Sequence, residues 1–533
     1  MSHYGSAGLR DSSSLAGMVA EDPVRFRASS GPDRPAVLEL ASGQSLTFSE
    51  FDALIGRCAA ALDDVIASAG AGQQGSPARI AYLGRNSTAQ FAVCFACQRI
   101  GAIFVPLNWR LSGREISLIL ADCEPTLLLY DAEFAETGTS FEVESLVVTG
   151  EGGFLDKASA LQPLTPRYSS ADRTCVILYT SGTTGVPKGV LLNARNLFFS
   201  ALNFAFVGEV TPESVVLCDL PFFHTIGLVA LARTAMVMGA RLVISDRFIA
   251  ERTIATMADP HIGVSHYCGV PQMASTLRNS PNWSPAALQG LKAIFLGGAP
   301  LPPVLIERFL DDGIALVNGY GMSETGTAYH MPLDRQLIAR HPGSIGFAAP
   351  LLETRVVDFD GADVTDGGIG EIWLRGPSVT EGYWNRPDLT EAAFADGWFR
   401  SGDMARVQDG VVYLADRLKD MYISGGENVY PAEVEAAIAA HPGVADVAVM
   451  GLAHAEWGEV GLALVVAGDD GLRDHDIVRH CADRLASFKR PKHVVFVDAI
   501  PRSASGKVQK HILRQAYTHL SSSSTPASGQ PGA

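Results

Sequence analysis

The sequence predicts an α/β protein: a large N-terminal domain of layered α/β subdomains carrying a β-rich subdomain, then a small α+β C-terminal domain. Three observations lead there. Short apolar runs alternate with helix-length stretches through most of the 533 residues, the pattern of strands and crossover helices in a largely parallel sheet. Near residue 350 this gives way to short strands between Gly- and Asp-rich turns, which reads as antiparallel structure. After the charged stretch Asp416-Arg417-Leu418-Lys419-Asp420, helices and strands resume on the scale of a small domain.

The elements follow in order. Residues 1–12 and 521–533 are poor in apolar side chains and read as disordered ends. Strands are expected at 79–83, 103–106 and 126–130, with helices at 88–100 and 111–121 between them. Further strands fall at 215–220, 242–244 and 293–296. In the β-rich part, 354–359, 370–375 and 411–414 are short strands, and Asp409-Gly410 between apolar runs predicts a hairpin turn. Helices at 431–440 and 474–485 and strands at 444–450, 462–467 and 493–497 complete the small domain. The layout is a large domain over 13–418, with its β-rich subdomain at about 350–415, and a small domain over 419–520.

Composition narrows the function. A hydrophobic share of 47% is ordinary for a globular chain. A net charge of −16 with no dense basic stripe argues against nucleic acid as the main partner. A local pocket can still be positive, so phosphorylated small molecules remain open. The eight cysteines are too sparse for a disulfide framework. Cys94 and Cys97 form a C-x-x-C inside an apolar run; buried positions on one helix suit them better than a redox pair, and the second half of a zinc motif is missing. The longest apolar stretch, 227–244, carries Arg233 and Arg241, so a buried or amphipathic helix and a strand fit it better than a membrane span. No apolar targeting segment stands near the start, and a cytoplasmic protein is expected.

The densest chemical signal is Thr180-Ser181-Gly182-Thr183-Thr184-Gly185-Val186-Pro187-Lys188-Gly189, directly after the apolar run 175–179. Glycine frees backbone N–H groups, the hydroxyls donate, and an ammonium follows; all three suit phosphate oxygens. It is not a Walker A loop, because Lys188 stands between Pro187 and Gly189. A plain Ser/Thr/Gly surface turn shares the composition but seldom the lysine and the buried strand.

This loop resembles the signature of the adenylate-forming superfamily: acyl-CoA synthetases, firefly luciferase and the adenylation domains of peptide synthetases. Later segments match in order, so that the resemblance covers about residues 30–515 and is strongest to an acyl- or aryl-CoA ligase. Pro221-Phe222-Phe223-His224 resembles the segment whose histidine lines the acyl pocket; a lone histidine beside aromatics is more often a satisfied core residue, but with the other matches counted the pocket role is favoured. Tyr267 is expected beside Phe222, Phe223 and His224 around the acid. Gly297-Gly298-Ala299-Pro300 resembles the turn that contacts adenine, with Gly297 also bordering the acid. Asn318-Gly319-Tyr320-Gly321-Met322-Ser323-Glu324-Thr325-Gly326 is far more specific. The resemblance implies that Tyr320 packs on adenine, Ser323 reaches the α-phosphate, Gly321 borders the acid, and Glu324 holds Mg²⁺ together with Thr184. A hard dication on phosphate oxygens calls for such a carboxylate.

The remaining matches concern ribose, the hinge and the thiol. Ser401-Gly402-Asp403 resembles the ribose turn, Arg417 its second ribose or phosphate contact, and Lys419 the hinge position. Ser505-Gly506-Lys507 resembles the C-terminal catalytic lysine motif, with slightly altered flanks. Gly425 and Gly426 resemble a loop beside the pantetheine tunnel, and Trp457 a tunnel-lining tryptophan. Phe488, Arg490 and Lys492 resemble a patch that holds the nucleotide end of coenzyme A, an ordinary exposed basic turn being the alternative.

The resemblance implies an ATP-dependent acid–thiol ligase using Mg²⁺ and coenzyme A. Acid plus ATP would give acyl-AMP and pyrophosphate, and acyl-AMP plus coenzyme A would give acyl-CoA and AMP. Lys507, His224, Glu324 and Lys188 form the implied catalytic set, with the small domain swinging about Lys419 between the two steps. Transfer to an acyl carrier protein is the alternative. A regulatory nucleotide-binding scaffold is disfavoured, since Lys507 and Glu324 are both retained. The aromatics suit an aryl or aliphatic acid; the sequence names neither the acid nor the oligomeric state.

Overall fold

The computed structural model of the chain describes residues 22–70, 76–167, 170–180, 187–298, 301–417, 420–424, 427–454, 457–468, 471–482, 484–502, 508–517 and 519–520. The two ends expected to be disordered lie outside them. The chain divides into two compact units. The first runs to Thr354 and resumes over Leu374–Phe399; the second is Arg355–Trp373 and everything from Arg400 onward. The β-rich stretch around 350–415 is therefore shared between the units, whereas its sequence suggested one subdomain of the large domain.

The first unit is built on two large sheets. The nine-stranded sheet runs in the order Phe347–Ala348, Gly326–His330, Leu316–Met322, Ala293–Leu296, His266–Gly269, Val215–Cys218, Arg241–Ile244, Pro35–Glu39, Ser45–Thr47. Its middle is parallel and its margins antiparallel. The six-stranded sheet runs Ser145–Val147, Leu127–Tyr130, Arg79–Leu83, Ile103–Leu107, Thr174–Thr180, Lys188–Asn193. Only its last pair is antiparallel. Strands such as Ile103–Leu107 and Ala293–Leu296 are buried at every position. Helices cover both faces of a parallel sheet, which is why these strands read as unbroken apolar runs. The parallel strands bring residues 84–86, 108–110, 131–134 and Thr180 to one edge, the carboxyl edge where ligands of open α/β sheets sit.

Local chemistry sets the helix limits. Thr47 and Glu50 form a reciprocal cap at the start of Phe48–Ser68. Ser87 caps Thr88–Ile100, and Gly101, at φ 75°, ends it in the left-handed conformation. Cys94 and Cys97 on this helix are both buried and unbonded, and burial pushes the Cys94 thiol up to about 12. The C-x-x-C is thus core packing. The apolar stretch 227–244 resolves into a π-helical segment Ile226–Arg233, an α-helix Thr234–Met238 and the strand Arg241–Ile244. Its Arg233 is buried, donates to Gln98 at 2.9 Å and lies 4.9 Å from the Phe95 ring. No helix of the described residues is long and apolar enough to cross a membrane.

In the second unit, Gln408 pairs with Val411 across Asp409-Gly410, both at positive φ (52° and 74°), as a two-residue hairpin requires. Toward the C-terminus a five-stranded sheet orders Glu427–Val429, Tyr422–Ser424, Gly458–Ala467 and Val444–His454, with His493–Phe496 alongside Gly458–Ala467. Helices Pro431–Ala439 and Asp474–Ala482 pack with it. The central pair is longer than expected, from Val444 opposite Ala467 to His454 opposite Gly458. Small and polar residues at its far end hid the extension.

Candidate active site

The phosphate-type loop is anchored by backbone pairing. Strand Thr174–Thr180 pairs antiparallel with Lys188–Asn193, with Thr180 opposite Lys188. Thr180 and Lys188, the two flanks of the motif, are thus cross-strand neighbours. Ser181, Gly182, Thr183 and Thr184 lie outside the described residues. Lys188 places its Nζ 5.8 Å from the centre of the Tyr383 ring. Tyr179, just before the loop, donates to Asp122 at 2.6 Å; burial above all pushes its phenol well up, with Cys123 and then this carboxylate adding to it.

The strand Leu316–Met322 and its partner Gly326–His330 hold the second group. Tyr320 faces Tyr329 with ring centres 6.2 Å apart. A β-carbon on Gly321 would stand 2.1 Å from the Gly326 carbonyl oxygen, and one on Gly319 would stand 2.9 Å from the His330 ring. Both positions therefore demand glycine for backbone approach. Asn318 donates to the carbonyls of Gly343 and Ser344 at 3.2 and 3.1 Å, which makes it a structural clamp in this arrangement. Glu324 is 8% exposed. Its Oε1 accepts from the Tyr383 hydroxyl at 2.9 Å, its carbonyl accepts from Thr380 N–H at 2.7 Å, and it forms no ion pair among the described residues. Ser323 accepts a hydrogen bond from Thr225 at 2.9 Å.

The third group is the segment from Asp219 to Ile226. Asn86 clamps it, donating to Leu220 O at 2.8 Å and accepting from Phe222 N–H at 2.8 Å. The Asp219 carboxyl, pushed up by burial, accepts from Thr253 at 2.6 Å. Two expectations need correction here. Phe222 and Tyr267 are each 0% exposed, and Phe222 packs on Phe91 with centres 5.4 Å apart. Both side chains belong to the buried core cluster and present no open surface. Phe223 and the half-buried His224 remain candidates for the acid's surroundings, their rings 4.6 Å apart, with Trp109 edge-on to Phe223 at 6.5 Å. Ile226 lies over the Gly297-Gly298 turn, its Cδ1 3.7 and 3.6 Å from where β-carbons would stand on those two glycines. Ala299 and Pro300 lie outside the described residues.

In the second unit, buried Asp403 stands opposite Arg417 in the antiparallel ladder. The two expected ribose contacts are therefore cross-strand neighbours, although the Arg417 side chain lies outside what is described. Gly402 takes φ 70°, and its N–H donates to Glu371 at 2.9 Å. Further on, Trp457 is 39% exposed and Lys492 Nζ stands 5.7 Å from its ring centre. Arg490 instead donates to Leu485 O and Ala482 O at 2.9 and 2.8 Å, closing the end of helix Asp474–Ala482. Phe488 packs against the apolar cluster of this unit. The expected basic patch thus narrows to Lys492 beside Trp457. Lys419, Gly425, Gly426 and Lys507 lie outside the described residues.

Sequence reasoning missed Asn86, Thr225, Thr380 and Tyr383. The last two sit in a stretch, 376–386, with no periodic pattern; the Gly382-Tyr383-Trp384 run was the only available signal.

The chain matches the AMP-binding enzyme family over residues 24–384 and the AMP-binding enzyme C-terminal domain over residues 433–507. It belongs to the AMP-binding enzyme family. The matched span holds every element of the first unit's candidate site. This AMP-binding enzyme is 37% identical to the feruloyl-CoA synthase of an Amycolatopsis species over 497 residues, 93% of this chain and 98% of that one. It is 39% identical to the indoleacetate–CoA ligase of Aromatoleum aromaticum over 453 residues, 82% of this chain and 88% of the other. It superposes on the O-succinylbenzoate coenzyme A synthetase of Bacillus subtilis, solved in complex with ATP and magnesium ion, with a TM-score of 0.81 at 29% identity, covering 92% of this chain and 99% of that one. The expected α/β fold, with a large N-terminal and a small C-terminal domain, is the fold of these neighbours.

Proposed function

We propose that this AMP-binding enzyme activates an aromatic carboxylic acid and that Lys188, Ser323, Glu324, Asp403 and Lys507 carry the activation. The protein is an ATP-dependent, AMP-forming acid–thiol ligase. A carboxylic acid and ATP give acyl-AMP and pyrophosphate; acyl-AMP and coenzyme A give acyl-CoA and AMP. Its co-substrates are ATP and coenzyme A, and its metal is Mg²⁺. The aromatic preference is supported by two relatives named for feruloyl-CoA and indoleacetate, and by the ring cluster of Trp109, Phe223 and His224.

A carboxylate resists nucleophilic attack because it is anionic and oxide is a poor leaving group. Joining it to the α-phosphate of ATP makes a mixed anhydride that a thiol can open. That step brings two anions together, so the site must supply positive charge in fixed positions. Lys188 and the hydroxyls of Thr180, Ser181, Thr183 and Thr184 take the β- and γ-phosphates. Ser323 donates to the α-phosphate. Tyr320 and the 297–300 turn hold adenine, and Asp403 with Arg417 takes the ribose hydroxyls. Bound Mg²⁺ would neutralise phosphate charge, and Glu324 fits it: a buried carboxylate with one oxygen bonded by a phenol and no ion pair among the described residues. Lys507 stabilises charge on the carboxylate and α-phosphate as they join. Trp457 and Lys492 face the incoming thiol substrate.

The observation that carries the assignment is the Lys188–Tyr383–Glu324 line, which gathers a cation and a buried carboxylate beside the end of the strand Thr174–Thr180. Acid-dependent ATP–pyrophosphate exchange with a panel of aryl and alkyl acids tests it, followed by trapping with coenzyme A against a carrier protein. Aryl acids are expected to support exchange well above alkyl acids of equal size. Lys507→Ala is expected to lower exchange on the order of 10²–10³-fold. Exchange that ignores the acid, or an undiminished Lys507→Ala enzyme, refutes the assignment.

A further inference from the structure

The structure assigns a role to Tyr383: it is the positioning residue that fixes the Glu324 carboxylate and sets its separation from Lys188. This rests on the reading of Glu324 as the metal carboxylate. Three independent contacts place Tyr383. Its hydroxyl donates to Glu324 Oε1 at 2.9 Å. Its ring lies 5.8 Å from Lys188 Nζ. Its backbone is tied into the strand Lys188–Asn193, by a bridge to Val190 flanked by Leu191 N–H to Gly382 O at 3.1 Å and Trp384 N–H to Gly189 O at 2.8 Å.

The surrounding stretch is built to hold that pose. Thr380 donates its N–H to Glu324 O at 2.7 Å and its hydroxyl to Leu191 O at 2.5 Å. Thr390 Oγ1 accepts from Tyr383 N–H at 3.0 Å. Gly382, at φ 142°, stands where a β-carbon would meet the Thr390 side chain at 2.4 Å. Trp384 is pinned by its indole N–H on Asp122 O at 3.1 Å.

The consequence is specific. A free glutamate can turn either or both oxygens toward a cation. With Oε1 accepting from a phenol, Glu324 is held in one rotamer with Oε2 the less engaged oxygen, and the phenol's bond to a charged acceptor is among the stronger kinds. A carboxylate oriented in advance binds a cation more tightly than a mobile one, as outer partners do at metal sites generally. The same ring gives the Lys188 ammonium an apolar floor that neutralises none of its charge.

Tyr383→Phe removes one hydrogen bond and keeps the ring. Isothermal titration of the full-length enzyme with ATP, with and without Mg²⁺, reads the effect directly. The variant is expected to keep wild-type ATP affinity without Mg²⁺ and to lose roughly 10-fold or more of the gain that Mg²⁺ brings. Its Mg²⁺ half-saturation in pyrophosphate exchange rises by a similar factor, while the KM for the acid does not move. In a Glu324→Gln background the same substitution has no further effect on the Mg²⁺ gain, because Tyr383 acts through that carboxylate. Unchanged Mg²⁺ dependence in Tyr383→Phe, or equal losses in both backgrounds, overturns the role of Tyr383 while leaving Glu324 in place. A Glu324→Gln enzyme with wild-type Mg²⁺ dependence overturns the reading of Glu324 and this inference with it.

Discussion

Thr225 shows how much a single hydroxyl can decide. It donates to Ser323 Oγ at 2.9 Å, so the proton of Ser323 is left to point at another acceptor, which in the proposed reaction is the α-phosphate. A serine side chain has three open rotamers, and this contact selects one. Thr225→Val keeps the shape and removes the donor. Pyrophosphate exchange is expected to fall about 5- to 10-fold in kcat, in line with a net hydrogen bond of about 1 kcal/mol, with little change in the KM for ATP. Ser323→Thr in the same background is expected to recover most of the loss, because a β-branched side chain restricts its own χ1. Steady-state kinetics on the two single variants and the double variant check this; a double variant slower than Thr225→Val would show that packing at Thr225 matters, and its hydroxyl does not. The Asn318-to-Gly326 motif pointed to Ser323, but nothing in it pointed to a threonine 98 positions away in the chain.

Among the elements, those of the parallel layers were the most legible. Arg79–Leu83 and Ala293–Leu296 have the limits that their apolar runs suggest, since strands covered on both faces carry no polar interruption. The hairpin at Asp409-Gly410 followed from turn chemistry alone. Other features were not legible. A π-helix such as Ile226–Arg233 differs from an α-helix only in its hydrogen-bond spacing. Which face of its strand Tyr267 occupies depends on the neighbouring layer. The 376–386 stretch works through pairing with the strand Lys188–Asn193, far away in sequence. The carboxyl edge of the six-stranded sheet carries a prediction of its own. There Asp131 accepts from Tyr82 at 2.9 Å and from Arg85 N–H at 2.8 Å, and burial pushes its carboxyl up to about 6 from an ordinary 3.8. Between those values the unfolded chain releases this proton and the folded chain keeps it. The group's contribution to stability is therefore full below about pH 4 and is lost as pH rises through about 6. Asp131→Asn removes that dependence. Its melting temperature, relative to the natural protein, is expected to gain a few degrees between about pH 3.5 and pH 7.5 (conditions chosen to bracket the roughly two-unit shift). A constant difference between the two proteins across that range refutes the shift.

At the scale of the molecule, the division into units bears on where the enzyme can turn. The boundaries at Thr354–Arg355, Trp373–Leu374 and Phe399–Arg400 each fall inside a strand: Glu353–Val357, Ile369–Arg375 and Trp398–Gln408. A large backbone rotation at any of them would break ladder hydrogen bonds. Lys419 falls between two strands, Val411–Arg417 and Tyr422–Ser424, and residues on both sides of it belong to the second unit. A short connection between strands absorbs φ/ψ change without breaking a ladder, as hinge residues do. Adenylation and thiol attack make different demands on Lys507, so a turn at Lys419 would serve the two half-reactions in turn. Proline at 419 would fix φ near −65° and bar any turn that needs another φ there. Lys419→Pro is expected to slow the two half-reactions by factors differing roughly 10-fold or more, since one pose survives better than the other. Single-turnover acyl-AMP formation, and thioester formation from added acyl-AMP, measure them separately. Equal slowing of both half-reactions, or none, would move the turning point away from Lys419 and onto the strand boundaries, where glycine substitution near Phe399–Arg400 would then have to change the ratio instead.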